Sequence, residues 1–318
     1  MNKNVKIAFL DQQSNIPLLL QALNKEIDIL KWVEDNLDYI KSKLTEHGAL
    51  LLRNFNIADI KQLKQVVELI IGQLENNIDR NATRSAVNGN ILTSTDAPSN
   101  MNILLHCESA FAHRWPSYIF FYCNIPPTSN GETPICDMNK VFNALPKDLV
   151  DVFLEKKIMY VRNFGPKKLN WKYVFQVENK EELQRYCINS NIIIDWIDKE
   201  NFIAKQIRPA ILEHPITGLT SWFNQIHIFR YRKSIFDKLN PLYSKFKPSR
   251  NALFGDKKEI PQKMIDIINK SYLQEKIMFK WQKDDLLILD NLKVGHGRNP
   301  YGGERSIWTG MSNFKSWE

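Results

Sequence analysis

The feature that most constrains this chain is the triplet His106-Cys107-Glu108, taken with a histidine far downstream, His296, and an arginine shortly after it, Arg305. Side chains alternate along an extended segment, so an H-x-E triplet there presents its histidine and its carboxylate to one side. A further histidine from a distant strand completes three ligands on one face of an ion. Two imidazoles and one carboxylate form the facial triad that suits ferrous iron and leaves positions open for a cosubstrate and oxygen. Because the third ligand comes from near the other end of the chain, the fold has to lay remote strands side by side.

The pattern along the chain supplies such strands. Ile27, Leu30, Val33, Leu37, Ile40 and Leu44 recur at steps of three and four, which predicts an amphipathic helix. The run ALLLRNF after Gly48 reads as a buried strand, and Ile60, Leu63, Val66, Val67, Ile70 and Leu74 predict a second helix. The segment from about 79 to 104 is polar, broken by Asn, Gly and Pro, and too long for an idle connection; it is a candidate lid or active-site loop. Beyond it the texture turns β-like. Tyr118–Cys123 is aromatic-rich, and Asn130-Gly131 marks a tight turn. Helices are expected near Lys147–Lys157 and Glu181–Asn189, and strands at Phe202–Ile207 and Leu219–Phe223. Pro261 opens another helix carrying Met264, Ile268 and Tyr272. Leu286–Leu289, the His296 segment and Arg305–Gly310 are strand-like again. With no repeat or linker, residues 1–318 read as one domain, helical over about 1–80 and β over about 100–318.

Composition narrows the function classes. Hydrophobic residues make up 43% and there are eight Trp, enough for a sizeable core, so a disordered tail is excluded. The net charge of +8 favours an anionic partner, yet Lys156-Lys157, Lys167-Lys168 and Arg230-Tyr231-Arg232-Lys233 are too short and scattered to be nucleic-acid arms. The four cysteines, Cys107, Cys123, Cys136 and Cys187, show no C-x-x-C spacing and read as reduced thiols of a soluble cytoplasmic protein. No apolar run approaches the roughly 20 residues that span a bilayer. Cys107 should face away from the ligand pair and pack; His47 and His113 read as structural, and His214 is open to either role.

From about Leu50 onward the chain resembles the TauD/TfdA family of Fe(II)/2-oxoglutarate dioxygenases, in particular the branch of syringomycin-biosynthesis-type amino-acid hydroxylases. The resemblance is carried by HCESAF, WPSYIFFYCNIPPTSNGETPICD, RPAILEHPITGLTSWFNQ, ALFGD and WQKDDLLILDNLKVGHGRNPYGGER, in that order. It implies a mainly β, double-stranded β-helix (jelly-roll) core with helical decoration. It implies His106, Glu108 and His296 as iron ligands, Thr133 and Arg305 as holders of the distal carboxylate of 2-oxoglutarate, and O2 as co-reactant. A guanidinium forks onto a carboxylate and a hydroxyl donates to it, which makes that pair chemically apt. Asn224 and Gln225 resemble pocket-lining positions, and Arg298 shares a strand side with His296, so Asn224 and Arg298 are candidate substrate contacts.

The same resemblance bounds the reaction. Retention of Glu108 implies hydroxylation rather than halogenation, with desaturation, ring closure, or a non-catalytic binding protein on the same fold as alternatives. The implied substrate is an amino acid, free or held on an acidic carrier protein, in secondary metabolism. Two departures stand out. Asp284 occupies the glycine position of the family's W-x-x-G-D and should reshape a turn, while Thr309 stands where the taurine enzyme has its sulfonate-binding arginine, which argues against taurine. Asp290-Asn291 reads as turn chemistry or support for the ligands. Substrate contacts are also sought in the irregular stretch 163–174.

Overall fold

The computed structural model describes residues 4–10, 14–79, 83–230 and 249–318. Strands Ala49–Arg53, Leu286–Asp290, Arg114–Ile125 and Ser306–Ser316 run side by side through the middle of a nine-stranded sheet. Ala49–Arg53 and Leu286–Asp290 are buried along their whole length, so they read as continuous apolar runs rather than polar–apolar alternation. Alternation instead sorts two cores. Leu50, Leu52, Phe120, Tyr122, Leu286 and Ile288 pack with the helices Ile29–Asp35, Leu37–His47 and Ile60–Ile71. Leu51, Ile119, Phe121, Leu287 and Leu289 pack the other way, with Ile135, Val294, Phe279 and Trp281.

Ile135 and Val294 belong to a second, three-stranded sheet, Ile135–Asp137, Val294–Arg298 and Ile103–His106. Its far side is buried by helices Met138–Asn143, Lys147–Lys156 and Gln262–Gln274, through Val141, Phe153, Ile265 and Ile268. Two facing sheets with helices on the outside make the mainly β jelly roll that the resemblance implies. A further sheet, Ile193–Trp196, Phe202–Arg208, Ile158–Phe164 and Arg250–Phe254, flanks the opening. Among the described residues no helix is long and apolar enough to cross a membrane.

Several elements differ from the sequence reading. The helix predicted over Ile27–Leu44 is two helices, because Asn36 donates through Nδ2 to the Trp32 carbonyl and leaves helical geometry at φ −124°. Asn side chains compete with the backbone in this way. The front of the chain also holds strands Val5–Phe9 and Leu18–Ala22, the latter parallel to Ala49–Arg53. Short apolar runs do not distinguish strand from helix by period alone. Leu219–Phe223 pairs only at Thr220–Ser221. Asp284 keeps a left-handed turn itself, at φ +67°, with Tyr122 Oη donating to its carboxylate at 2.7 Å, so the turn is retained. Tyr231, Arg232 and Lys233, and residues 80–82 of the candidate loop, lie outside the described residues.

Candidate metal centre

His106 ends its strand directly opposite His296, and Ile135 pairs with His296 from the other side. Gly297 permits this close approach, since a Cβ there would lie 2.6 Å from the Ile103 carbonyl oxygen. The register then slips, so that Arg298 faces Ile103. Such bulges re-aim side chains beside functional sites. The strand stops at His106, so Glu108 is not presented by strand alternation. It is placed by a turn in which Ser109 takes φ +55° and by the Asn291 side chain. Asn291 Oδ1 accepts from the Glu108 amide at 2.7 Å, and Nδ2 donates to the Glu108 and Pro116 carbonyls at 3.0 and 2.8 Å.

The result is a tight cluster. The donor atoms of His106, Glu108 and His296 all lie within 4.8 Å of one another. Glu108 Oε2 is 3.9 Å from His106 Nε2 and 3.7 Å from His296 Nε2. His106 Nδ1 is 2.7 Å from the Leu104 carbonyl, a contact that puts the proton on Nδ1 and leaves the Nε2 lone pair facing its neighbours. Burial, then the neighbouring His296, lowers the His106 pKa to about 4, so at neutral pH the ring is the neutral form a metal takes. Burial opposes the charge on Glu108, but Arg84 and then the two imidazoles outweigh it and hold the carboxyl well below the usual carboxylate range. Two imidazoles and an ionised carboxylate converging on one point fit ferrous iron.

The cluster opens into a cavity of about 520 Å³, walled by the loop residues Thr83, Arg84, Ser94, Thr95 and Ala97, with Phe121, Gln225, Arg250, Arg298 and Arg305. The segment from 79 to 104 thus contributes Thr83, Arg84, Ser94, Thr95, Ala97 and residues 101–104 to the cavity wall. Thr133 is buried beside Arg305; Trp281 Nε1 donates to its Oγ1 at 3.2 Å, and Arg305 Nη2 lies 3.4 Å from the same oxygen. Arg305 Nε donates to the Gly131 carbonyl, where Asn130 and Gly131 both take positive φ. Burial first, and Arg298 next, push the Arg305 pKa down to about 10. A guanidinium held at that cost is complementary to a bound anion, and a carboxylate is the matching shape.

The two candidate substrate contacts fare differently. Asn224 does not line the cavity: its Nδ2 donates to the Ala210 carbonyl and its Oδ1 accepts from the Ile226 amide, in full burial. Its neighbour Gln225 faces the cavity and donates to the Cys107 carbonyl at 2.8 Å. Arg298 lines the cavity, but Nη1 and Nη2 hold the Ala97, Pro98 and Met101 carbonyls, so it fastens the wall loop. Residues 163–174 stay outside the cavity lining; Tyr173 reaches it indirectly by accepting from the Arg84 amide. His214 is structural, paired with Asp290 at 2.9 Å, and Cys107 is packed in the core. Thr309 is buried and donates to the Phe120 carbonyl within the sheet. Arg84 and Arg250 carried no motif, and only membership of a polar loop hinted at the first.

Comparison with known proteins agrees with this geometry. The family model for the taurine catabolism dioxygenase TauD, TfdA family matches residues 15–311. The chain is 34% identical over 268 residues to the dapdiamide synthesis protein DdaC of Enterobacter agglomerans, covering 83% of this chain and 82% of the relative. Its fold is similar to that of PvcB from Pseudomonas aeruginosa, with a TM-score of 0.56 at 15% identity over 98% of this chain and 92% of the other. It is also similar to an asparagine oxygenase solved with Fe(II), 3-hydroxyasparagine and succinate, with a TM-score of 0.56 at 10% identity over 88% and 79% of the two chains. The chain belongs to the TauD/TfdA family and is an iron(II)- and 2-oxoglutarate-dependent dioxygenase.

Proposed function

We propose that the chain hydroxylates an unactivated C–H bond of an amino acid or amino-acid-derived substrate, free or held on an acidic carrier protein, in secondary metabolism. The observation that carries this reading is the convergence of His106, Glu108 and His296 within 4.8 Å, in a cavity that also holds Thr133 and Arg305. In this reading His106, Glu108 and His296 hold the iron, and Arg305 with Thr133 binds the distal carboxylate of 2-oxoglutarate. Iron and 2-oxoglutarate held by these residues would supply an oxidation in which O2 is the oxidant, one oxygen atom ending in succinate as CO2 is lost and the other in the hydroxylated substrate. Glu108 fills a ligand position that a halide needs in the halogenating relatives, which favours hydroxylation. Gln225 and Phe121 line the cavity beside the three ligands. An amino-acid-derived substrate is supported by the dapdiamide synthesis relative and by the likeness in fold to an asparagine oxygenase. The buried, sheet-bonded Thr309 supports the exclusion of taurine.

Anaerobic titration with Fe(II) and then 2-oxoglutarate tests the assignment. The expected result is a weak visible charge-transfer band that is absent in His106→Ala and needs more 2-oxoglutarate in Arg305→Gln. A wild-type protein without the band refutes the iron site. Substrate class is read separately, as the amino acid or aminoacyl carrier protein that accelerates succinate formation.

A further inference from the structure

Arg84 differs from the other cations of the cavity in what it holds. Its Nη2 donates to Glu108 Oε2 at 2.9 Å, with both side chains about nine-tenths buried. That same oxygen faces both imidazoles, at 3.9 and 3.7 Å. A metal taken by the three residues therefore approaches a carboxylate oxygen that a guanidinium already occupies. The pairing is physically reasonable without metal, since a buried carboxylate without a counter-ion is costly. Once a divalent ion supplies that charge, two cations crowd one carboxylate, and they repel strongly in a site shielded from water.

The wall that carries Arg84 is fixed independently of this ion pair. The Arg84 amide donates to Tyr173 Oη at 3.0 Å. The Ser85 amide donates to Thr93 Oγ1, its carbonyl accepts from the Thr93 amide, and its hydroxyl donates to Asp96. Arg298 grips the following carbonyls. None of these ties uses the Arg84 guanidinium, whose own contacts are Glu108 Oε2 at 2.9 Å and Met311 Sδ at 4.0 Å.

We propose that Arg84 competes with the metal for Glu108: its guanidinium pairs with the metal-facing carboxylate oxygen, and a bound metal displaces it. Arg84 supplies the counter-charge of Glu108 until a metal takes its place, at the cost of a weaker metal affinity. The proposal rests on the assignment of the three ligands.

Anaerobic titration of the full chain with Mn(II), followed by calorimetry and by the spin-resonance signal of free Mn(II), tests it without turnover. Arg84→Gln should bind Mn(II) about tenfold tighter than wild type, the scale set by losing one charge-assisted hydrogen bond from the competing cation. Arg84→Lys, which keeps the charge, should stay close to wild type. Metal-free Arg84→Gln should melt below wild type, and Mn(II) should raise its Tm by more. Arg84→Met retains the aliphatic stem and serves the same comparison if the glutamine variant does not fold. A merely structural Arg84 predicts the reverse, since a loosened site binds metal less well. Equal or weaker affinity in the neutral variants, with Mn(II) binding still abolished by His106→Ala, overturns the proposal and leaves the ligand assignment standing. A wild-type chain that binds no Mn(II) overturns both.

Discussion

Asn291→Ala is the most direct test of how Glu108 is placed. The side chain is fully buried and makes three hydrogen bonds, accepting from the Glu108 amide and donating to the Glu108 and Pro116 carbonyls. Alanine removes all three partners where water has no access. A buried polar group left unpaired costs about 1–3 kcal/mol. With one amide and two carbonyls affected, and some relaxation of the turn, the expected loss is about 3–5 kcal/mol. Urea unfolding of the metal-free protein measures it as a fall in midpoint at unchanged m value. Mn(II) affinity should fall in parallel, because the turn that aims the carboxylate is no longer held. Asn291→Asp separates size from hydrogen bonding: its oxygen still accepts from the amide, but its second oxygen faces two carbonyls and repels them. A loss below about 1 kcal/mol in Asn291→Ala, with Mn(II) affinity unchanged, would refute the reasoning, because groups this buried cannot lose their partners so cheaply.

Two further outcomes follow from the site. Arg305→Lys keeps a charge but not the planar fork, so the KM for 2-oxoglutarate should rise about tenfold or more while Mn(II) affinity holds; steady-state kinetics beside Mn(II) titration checks both. Burial lowers the pKa of His106 and of His227 from the ordinary 6.5 to about 4. Between those values the unfolded chain binds more protons than the folded one. Metal-free stability should therefore be full above about pH 6.5 and fall on acidification toward pH 4, with a slope approaching about 1.4 kcal/mol per pH unit for each histidine. Urea midpoints measured across that range should show the slope, and a flat profile contradicts the burial argument.

Part of the fold was legible because two of its central strand segments are apolar on both faces. Tyr118–Cys123 and Leu286–Leu289 stand out by composition alone, and the helix Gln262–Gln274 follows its stripe and its opening proline. The first 22 residues were less legible, since five-residue apolar strands carry no period that separates them from a helix. Among site residues, those inside dense motifs, His106, Glu108, His296, Thr133 and Arg305, all meet in or beside one cavity. Asn224 and Gln225 are adjacent in W-F-N-Q, and only packing decides which one turns toward the cavity.

The sequence by itself determined the chemistry on offer: two histidines, a carboxylate, a hydroxyl and an arginine of the right kinds, on segments of the right texture. Residue type and short-range spacing carry that information, because it depends on covalent identity and local backbone preference. The tertiary structure decided which groups are spent and which remain available. Arg298 is consumed by three loop carbonyls, Thr309 by the sheet, and Asn291 by the turn that aims Glu108. Arg84, without any motif, sits on the carboxylate itself. Such pairings join residues far apart in the chain and form only when burial removes water as the competing partner, so no local pattern encodes them.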